Sequence, residues 1–274
     1  MTGIKTEIAL LAALALAFFA VPAPVCAETA DDGRFVLAID AGHGGHDLGT
    51  SGNRLKEKNV TLDVARRLKT LVEERLSDSV RVVMTRERDV FVPLRERADI
   101  ANREGADIFM SIHVNSIAKR SRGRRTINGT SVYTLGLHKS EANLEVAMAE
   151  NAVIELEEDF SEAYQGFDPN VSESYIIFEL TQNRHMEQSL ELASLAQHFL
   201  VSYAGRADRE VRQAGFLVLW ATAMPSVLVE LDFMCNPTVE SYFATESGRQ
   251  QLAEALYMAV DSYRRMHPHR LSQQ

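Results

Sequence analysis

The strongest constraint on the fold is the alternation of short apolar runs with segments of helical period. Phe35–Asp40 is an apolar run with β-branched residues, typical of a buried strand, and it ends in the glycine-rich segment Ala41–Gly45. From Asn59 the apolar residues recur at helical spacing. Two more strands are predicted at Val80–Met84 and Asp107–Ile112. This order predicts an α/β fold: a single domain whose mostly parallel twisted sheet is flanked by helices on both faces.

The second half of the chain changes character and then returns to the first pattern. A further strand is predicted at Thr130–Leu135, followed by a Glu-rich, helical stretch. Within it, residues from about 150 to 183 form a predicted helical insertion. Short strands are then predicted at Phe216–Leu219 and Ser226–Glu230, and a final helix closes the domain. Residues 28–267 thus form one predicted domain, with 268–274 as a tail.

The N-terminus has the layout of a secretory signal peptide. Lys5 precedes an unbroken apolar run from Ile8 to Val21, and Ala27 offers a small residue for cleavage, so residues 1–27 are predicted to be removed. The run is too short for a stable membrane span. Export to the periplasm is expected, with an extracellular location or lipid attachment through Cys26 as alternatives. Cleavage would leave Cys235 as the remaining cysteine, so an internal disulfide is not expected.

Charge argues against nucleic acid as a partner. The formal net charge is −9, whereas binding to phosphates requires clustered Lys and Arg. One basic cluster, Lys119–Arg125, interrupts the acidic chain. It is interpreted either as a solvated loop or as a contact for an anionic glycan or lipid.

Candidate metal ligands lie at predicted strand ends. His43 follows the first strand and His113 ends the third, so parallel pairing would bring the two side chains together. Glu57 lies in the loop that enters the first helix. Two His and one carboxylate suit a catalytic zinc site with an open position. Each residue alone also fits an ordinary polar role. Glu230 ends a strongly apolar strand, which fits either an acid/base group with a raised pKa or a buried ion pair.

Several segments together resemble the zinc-dependent N-acetylmuramoyl-L-alanine amidases of the LytC/AmiC-like type. The resemblance covers roughly residues 35–266 and rests on motifs that occur in the family's order. The motif segments are Ile39–Gly45, Leu55–Lys58, Thr85–Arg86 with Leu94–Arg97 and Ala101–Asn102, Ser111–Asn115, and Val229–Pro237. Two positions depart from the family's usual residues: Ala41 replaces a Pro and Asp232 replaces a Gly.

The resemblance implies an activity and roles for individual residues. It implies that His43, Glu57 and His113 hold Zn²⁺ and that Glu230 is the catalytic acid/base. The implied substrate is peptidoglycan, cut between N-acetylmuramic acid and L-alanine during wall remodelling or daughter-cell separation. A zinc peptidase or sugar deacetylase acting on the same polymer is an alternative. A noncatalytic wall-binding protein is another.

The family also includes members in which a helical insertion blocks zinc with a Glu until an activator protein displaces it. The insertion at about 150–183 resembles such a segment, although a substrate-binding wall or a plain structural insert fits equally well. Six acidic residues are candidates for the blocking group: Glu155, Glu157, Glu158, Glu162, Glu173 and Glu179.

Overall fold

The computed structural model describes residues 32–157, 164, 166–176 and 184–268. The predicted signal peptide and most of the predicted C-terminal tail lie outside the described residues, as does part of the predicted insertion.

The described residues contain a sheet of six strands, in the spatial order β2-β1-β3-β6-β4-β5. Neighbouring strands run parallel except for β4 and β6, which are antiparallel. The mostly parallel sheet predicted from sequence is therefore confirmed. The strand bounds are β1 Phe35–Ala41, β2 Val80–Met84, β3 Ile108–Asn115, β4 Thr130–Leu135, β5 Asp208–Ala214 and β6 Ser226–Phe233.

Helices connect the strands, and side chains cap several of them. Ser140 accepts a hydrogen bond from the amide of Asn143 at the start of α3, and Thr245 accepts one from Gly248 at the start of α7. The helix bounds are α1 Glu57–Leu76, α2 Leu94–Arg103, α3 Glu141–Asn151, α4 Met186–Ser202, α5 Leu217–Trp220, α6 Pro237–Ala244 and α7 Glu246–Met266, with 3₁₀ turns at Ala152–Leu156 and Ser172–Ile176.

The sheet separates two apolar layers, as expected for helices on both faces. Leu68 of α1, Leu192 of α4 and Leu256 of α7 belong to one layer and are fully buried. The opposite layer includes Phe109 and joins α2, α3 and α5 to the sheet. Because strands β1 and β3 are covered on both sides, they consist of almost uninterrupted apolar residues.

Two elements differ from the sequence prediction. Phe216–Leu219, expected to be a strand, instead enters the short helix α5, because a short apolar run fits a buried helix as well as a strand. Strand β5, Asp208–Ala214, was not predicted. It is an edge strand and mostly half-exposed, so it lacks the apolar pattern that marks a buried strand.

No helix among the described residues is long and apolar enough to cross a membrane.

We expect Leu68→Ala to lower the free energy of unfolding by about 2–5 kcal/mol, because it opens a cavity between α1 and the sheet. Glu74→Ala, at an exposed position on the same helix, is the matched control and should change it by less than about 0.5 kcal/mol. Urea denaturation of both variants measures the difference. Equal stability of the two variants would contradict this layer of the core.

Candidate metal centre and active site

The loop after β1 brings His43 against the end of β3. His43 adopts the left-handed backbone conformation, with φ of 62°. The preceding residue, Gly42, lies so close to the His113 ring that an added Cβ would be 2.5 Å from it. Glycine at this position therefore allows the two imidazoles to approach each other, with ring centroids 4.8 Å apart.

Four side chains converge at the carboxyl ends of β1 and β3. Nε2 of His43 is 3.1 Å from Oε1 of Glu57, and Nδ1 of His113 is 3.3 Å from the same oxygen. Oε2 of Glu150 completes the group, at 3.2 Å from His43 and 2.8 Å from His113. All four donor atoms lie within 4.8 Å of one another. The three ligands predicted from sequence are thus brought together, and a fourth residue joins them.

Two of these side chains are held in place by further hydrogen bonds. Nδ1 of His43 is 2.7 Å from Oδ2 of Asp47, which leaves Nε2 directed into the cluster. The two carboxylate oxygens of Glu57 accept hydrogen bonds from the amides of Val114 and Thr50, each at 2.7 Å. A carboxylate partner on the outer nitrogen of a histidine and anchored carboxylates are usual around metal sites, since they fix the ligand geometry.

The donor set fits a metal ion. Nε2 of His43, Nδ1 of His113 and Oε2 of Glu150 are buried and have no hydrogen-bond partner among the described residues. Buried polar atoms normally have such partners, so unsatisfied lone pairs that converge on one point call for a cation. Two imidazoles and two carboxylates are ligands that zinc accepts in tetrahedral geometry.

The electrostatics of the cluster lead to the same conclusion. Burial lowers the pKa of His113, but Glu150 and Glu57 outweigh it, and the pKa rises to about 10. For His43, burial is likewise outweighed by these two carboxylates, and its pKa is also raised. The cluster therefore stabilises positive charge at its centre, where a proton or a metal ion can supply it.

Glu150 was not among the residues predicted to block the metal. It lies in the last turn of α3, at the boundary of the predicted insertion, and its side chain is 14% exposed. Of the predicted candidates, Glu155 binds Asn170, Glu157 binds Leu94 and Tyr164, and Glu173 binds its neighbour Ser172. The remaining three, Glu158, Glu162 and Glu179, lie outside the described residues. The candidate set is therefore corrected to include Glu150.

Glu230 lies beside the cluster. In the pairing of β3 with β6 it is directly opposite His113. Its side chain is fully buried, and neither carboxylate oxygen has a hydrogen-bond partner among the described residues. Burial raises its pKa well above the usual value, with a further contribution from Glu150. A structural ion pair with Arg, the alternative left open by the sequence, is not formed among the described residues. The environment instead suits a group that exchanges protons.

A groove of about 890 Å³ leads to these residues. Its lining includes His43 and Tyr133 on the sheet side and Glu150 on α3. Helix α3 therefore forms one wall of the groove and also supplies a carboxylate to its floor.

Comparison with known proteins identifies the family. The family model described as N-acetylmuramoyl-L-alanine amidase matches residues 37–262. The chain is similar to AmiA of Escherichia coli K12, with 32% identity over 84% of this chain and 76% of that protein. This chain belongs to the same amidase family.

Two further proteins show how much of the sequence and of the fold this chain shares with known amidases. AmiC of Escherichia coli O6:H1 is 32% identical over 85% of this chain, but the match spans only 53% of AmiC. The solved N-acetylmuramoyl-L-alanine amidase from Clostridium difficile 630 superimposes with a TM-score of 0.62 and 26% identity, covering 84% of this chain and 97% of that structure. The family, fold class and enzyme class expected from sequence are therefore confirmed: the protein is a hydrolase of the N-acetylmuramoyl-L-alanine amide.

The amidase's two departures from the usual family residues cause no visible disruption. Asp232 is buried, and Oδ1 accepts hydrogen bonds from the amides of Gly129 and Phe233 at 2.7 and 2.8 Å. Oδ2 lies 3.3 Å from Arg206. Asp232 thus links the start of β4 to the end of β6 through hydrogen bonds and does not belong to the metal cluster. Ala41 is buried at the end of β1, and its carbonyl oxygen accepts from arginine side chains.

We expect the stability of the metal-free amidase to fall as pH rises from 6.5 towards 10. His113 has a raised pKa in the folded state, so its contribution is complete below 6.5 and is lost as pH rises through about 10. A bound metal ion would replace the protons, so the metal-loaded protein should lack this decline. Urea denaturation in chelator and in zinc checks this expectation.

Glu150→Gln is the control for that pH series, because removing one of the carboxylates should weaken the decline in the metal-free protein. A metal-free profile that is flat, or identical in the variant and the parent, would contradict the coupling.

Proposed function

We propose that the amidase is zinc-dependent and that His43, Glu57 and His113 are the permanent ligands. The observation that carries this proposal is the convergence of three buried donor atoms on one point, where the nitrogens of His43 and His113 have no hydrogen-bond partner among the described residues. Three protein ligands leave one position for substrate or water, which is the arrangement of catalytic zinc sites. A bound zinc ion supplies Lewis-acid chemistry, since it polarises the amide carbonyl and lowers the pKa of the attacking water.

We further propose that Glu230 transfers the proton. Glu230 is paired with His113 across β3 and β6, and its oxygens have no hydrogen-bond partner among the described residues, so a carboxylate there can accept the proton of the attacking water. The same oxygen can then deliver that proton to the nitrogen of L-alanine as the amide bond breaks. Its burial favours the protonated form between the two transfers, because an uncharged carboxyl group costs less to remove from water than a carboxylate does.

Glu150 is proposed to be a fourth, inhibitory ligand. Its carboxylate lies on the side of the cluster that faces the groove, and α3, which carries it, forms one wall of that groove. In this closed form the position for water is filled. Activity would then require that α3 moves, and a partner protein that binds the insertion and draws it away is the proposed activator.

The site of action follows from the substrate. Peptidoglycan lies outside the cytoplasmic membrane, and residues 1–27 have the sequence of a signal peptide, so we propose that the amidase is exported to the periplasm.

Glu230→Gln should retain zinc and lose cleavage by a factor of roughly 10²–10⁴, because glutamine cannot accept the proton. Release of stem peptides that begin at L-alanine from purified peptidoglycan, followed by mass spectrometry, measures the loss. The zinc content of the same preparation is the control for an intact metal site. Undiminished cleavage would exclude the proposed role of Glu230.

Glu150→Ala should raise the rate of peptidoglycan cleavage at least about tenfold, because it frees the fourth position on the metal. Glu155→Ala is the matched control, since Glu155 lies five residues further along and binds Asn170 instead of the cluster. Equal rates in both variants and the parent would show that Glu150 does not restrain the enzyme.

A further inference from the structure

The loop between β3 and β4 forms a basic cavity next to the metal groove. The cavity measures about 410 Å³ and is lined by four cationic side chains, Lys119, Arg122, Arg124 and Arg125, and by no acidic residue. This volume is within the range of sites that bind small ligands. We call this feature the basic cavity.

No ion pair among the described residues neutralises the positive charge of the basic cavity. Ion pairs found among the described residues involve none of these four side chains. Glu240 lies behind Asn53, where the Asn53 side chain and the amides of Arg54 and Leu55 bind its carboxylate. Concentrated unpaired cations on a chain of net charge −9 create a local positive potential that attracts an anion.

The loop that carries these charges is anchored. The Arg124 side chain donates to the carbonyl oxygen of Ile117, and Asn236 donates to that of Ile127 at 2.9 Å. Where the loop ends, Gly129 is bound by the buried Asp232. The fold therefore holds in place the loop backbone that carries the four cations.

The basic cavity borders the catalytic groove. Ser51, Lys119 and Arg124 line both. The loop also follows directly from β3, whose end carries His113. A single extended ligand can therefore have its scissile amide at the metal cluster while a more distant part reaches the cations.

The chemistry of the substrate indicates which part that is. The lactyl carboxyl group of muramic acid is consumed in the amide, so the N-acetylated glycan has no charge. The stem peptide, by contrast, has free carboxylates, beginning with that of D-glutamate next to L-alanine. Arginine and lysine recognise carboxylates through charge-assisted hydrogen bonds.

We propose that the basic cavity binds the free carboxylates of the stem peptide and so selects substrates in which they are not amidated. This proposal rests on the amidase reaction and names the part of its substrate that this loop recognises. Arg122 and Arg125 are the specificity-determining residues, because both are exposed and line the cavity, and the side-chain hydrogen bonds and ion pairs found among the described residues include neither of them.

The binding test uses Cys235, which also lines the basic cavity. The zinc-loaded full chain is alkylated with iodoacetamide, and the Cys235 peptide is followed by mass spectrometry. The tripeptide L-alanyl-D-glutamyl-diaminopimelate should slow alkylation at least about threefold, and its amidated form should not. The double variant Arg122→Ala, Arg125→Ala should lose the protection, and Arg120→Ala, on the same loop but outside the cavity lining, should keep it.

The activity test keeps the two proposals separate. In a Glu150→Ala background, kcat/KM is compared for N-acetylmuramoyl-L-alanyl-D-glutamate and its amidated analogue, and a preference of about tenfold, expressed in KM, is expected. The double variant should lose that preference with unchanged kcat. Cleavage of both substrates at equal KM would overturn the basic cavity as a peptide site while leaving the amidase intact.

Two other outcomes are decisive. Cleavage of neither substrate would count against the proposed catalytic residues, while Cys235 protection would still test the cavity. Protection by poly(glycerol phosphate) but not by the tripeptide would overturn the proposal in favour of a phosphate polymer.

Discussion

The metal centre depends on a buried ion pair beneath it. Oδ1 of Asp40 lies 2.8 Å from Nη1 of Arg97, and both side chains are almost fully inaccessible. Arg97 also donates to the carbonyl oxygens of Ala41 and His43, and Arg86 binds those of Ala41 and Gly42. These bonds hold the strained backbone that presents the His43 imidazole. A buried ion pair is costly to desolvate, so it contributes more to this geometry than to overall stability.

Arg86 and Arg97 also account for two motif segments whose structural role is not evident from the sequence. Both lie within the resemblance, but nothing in their spacing indicated that they bind main-chain oxygens of the metal loop. Burial lowers the pKa of Arg86 to about 10, with a further contribution from Arg97, because two guanidinium groups share this small space. The main-chain oxygens and Asp40 supply the negative charge that offsets the repulsion between the two guanidinium groups.

The parallel core and the meeting of His43 with His113 were predictable, because strand ends in a parallel sheet converge and both histidines lie at or just after such an end. Glu57 begins α1 and was indicated by the family resemblance instead. Glu150 was not predictable. The helical period of α3 does not determine which residue of its last turn faces β1 and β3, and that orientation depends on tertiary anchors such as Asn151, which binds the carbonyl oxygen of Gly215. Strand β5 was missed for a similar reason, since its charged edge position gives no periodic signal.

Because Glu150 belongs to the same chain as His43, Glu57 and His113, any other group that approached the cluster would compete with its carboxylate at a high effective concentration that dilution cannot reduce. Small soluble anions would therefore compete poorly for the cluster. A partner that shifts a two-state equilibrium from 99:1 in favour of the closed form to 1:99 must bind the open form more tightly by about 5.5 kcal/mol. In the proposed closed form, energy of this size would come from a macromolecular surface, so tethering Glu150 to the chain would make opening depend on a dedicated partner.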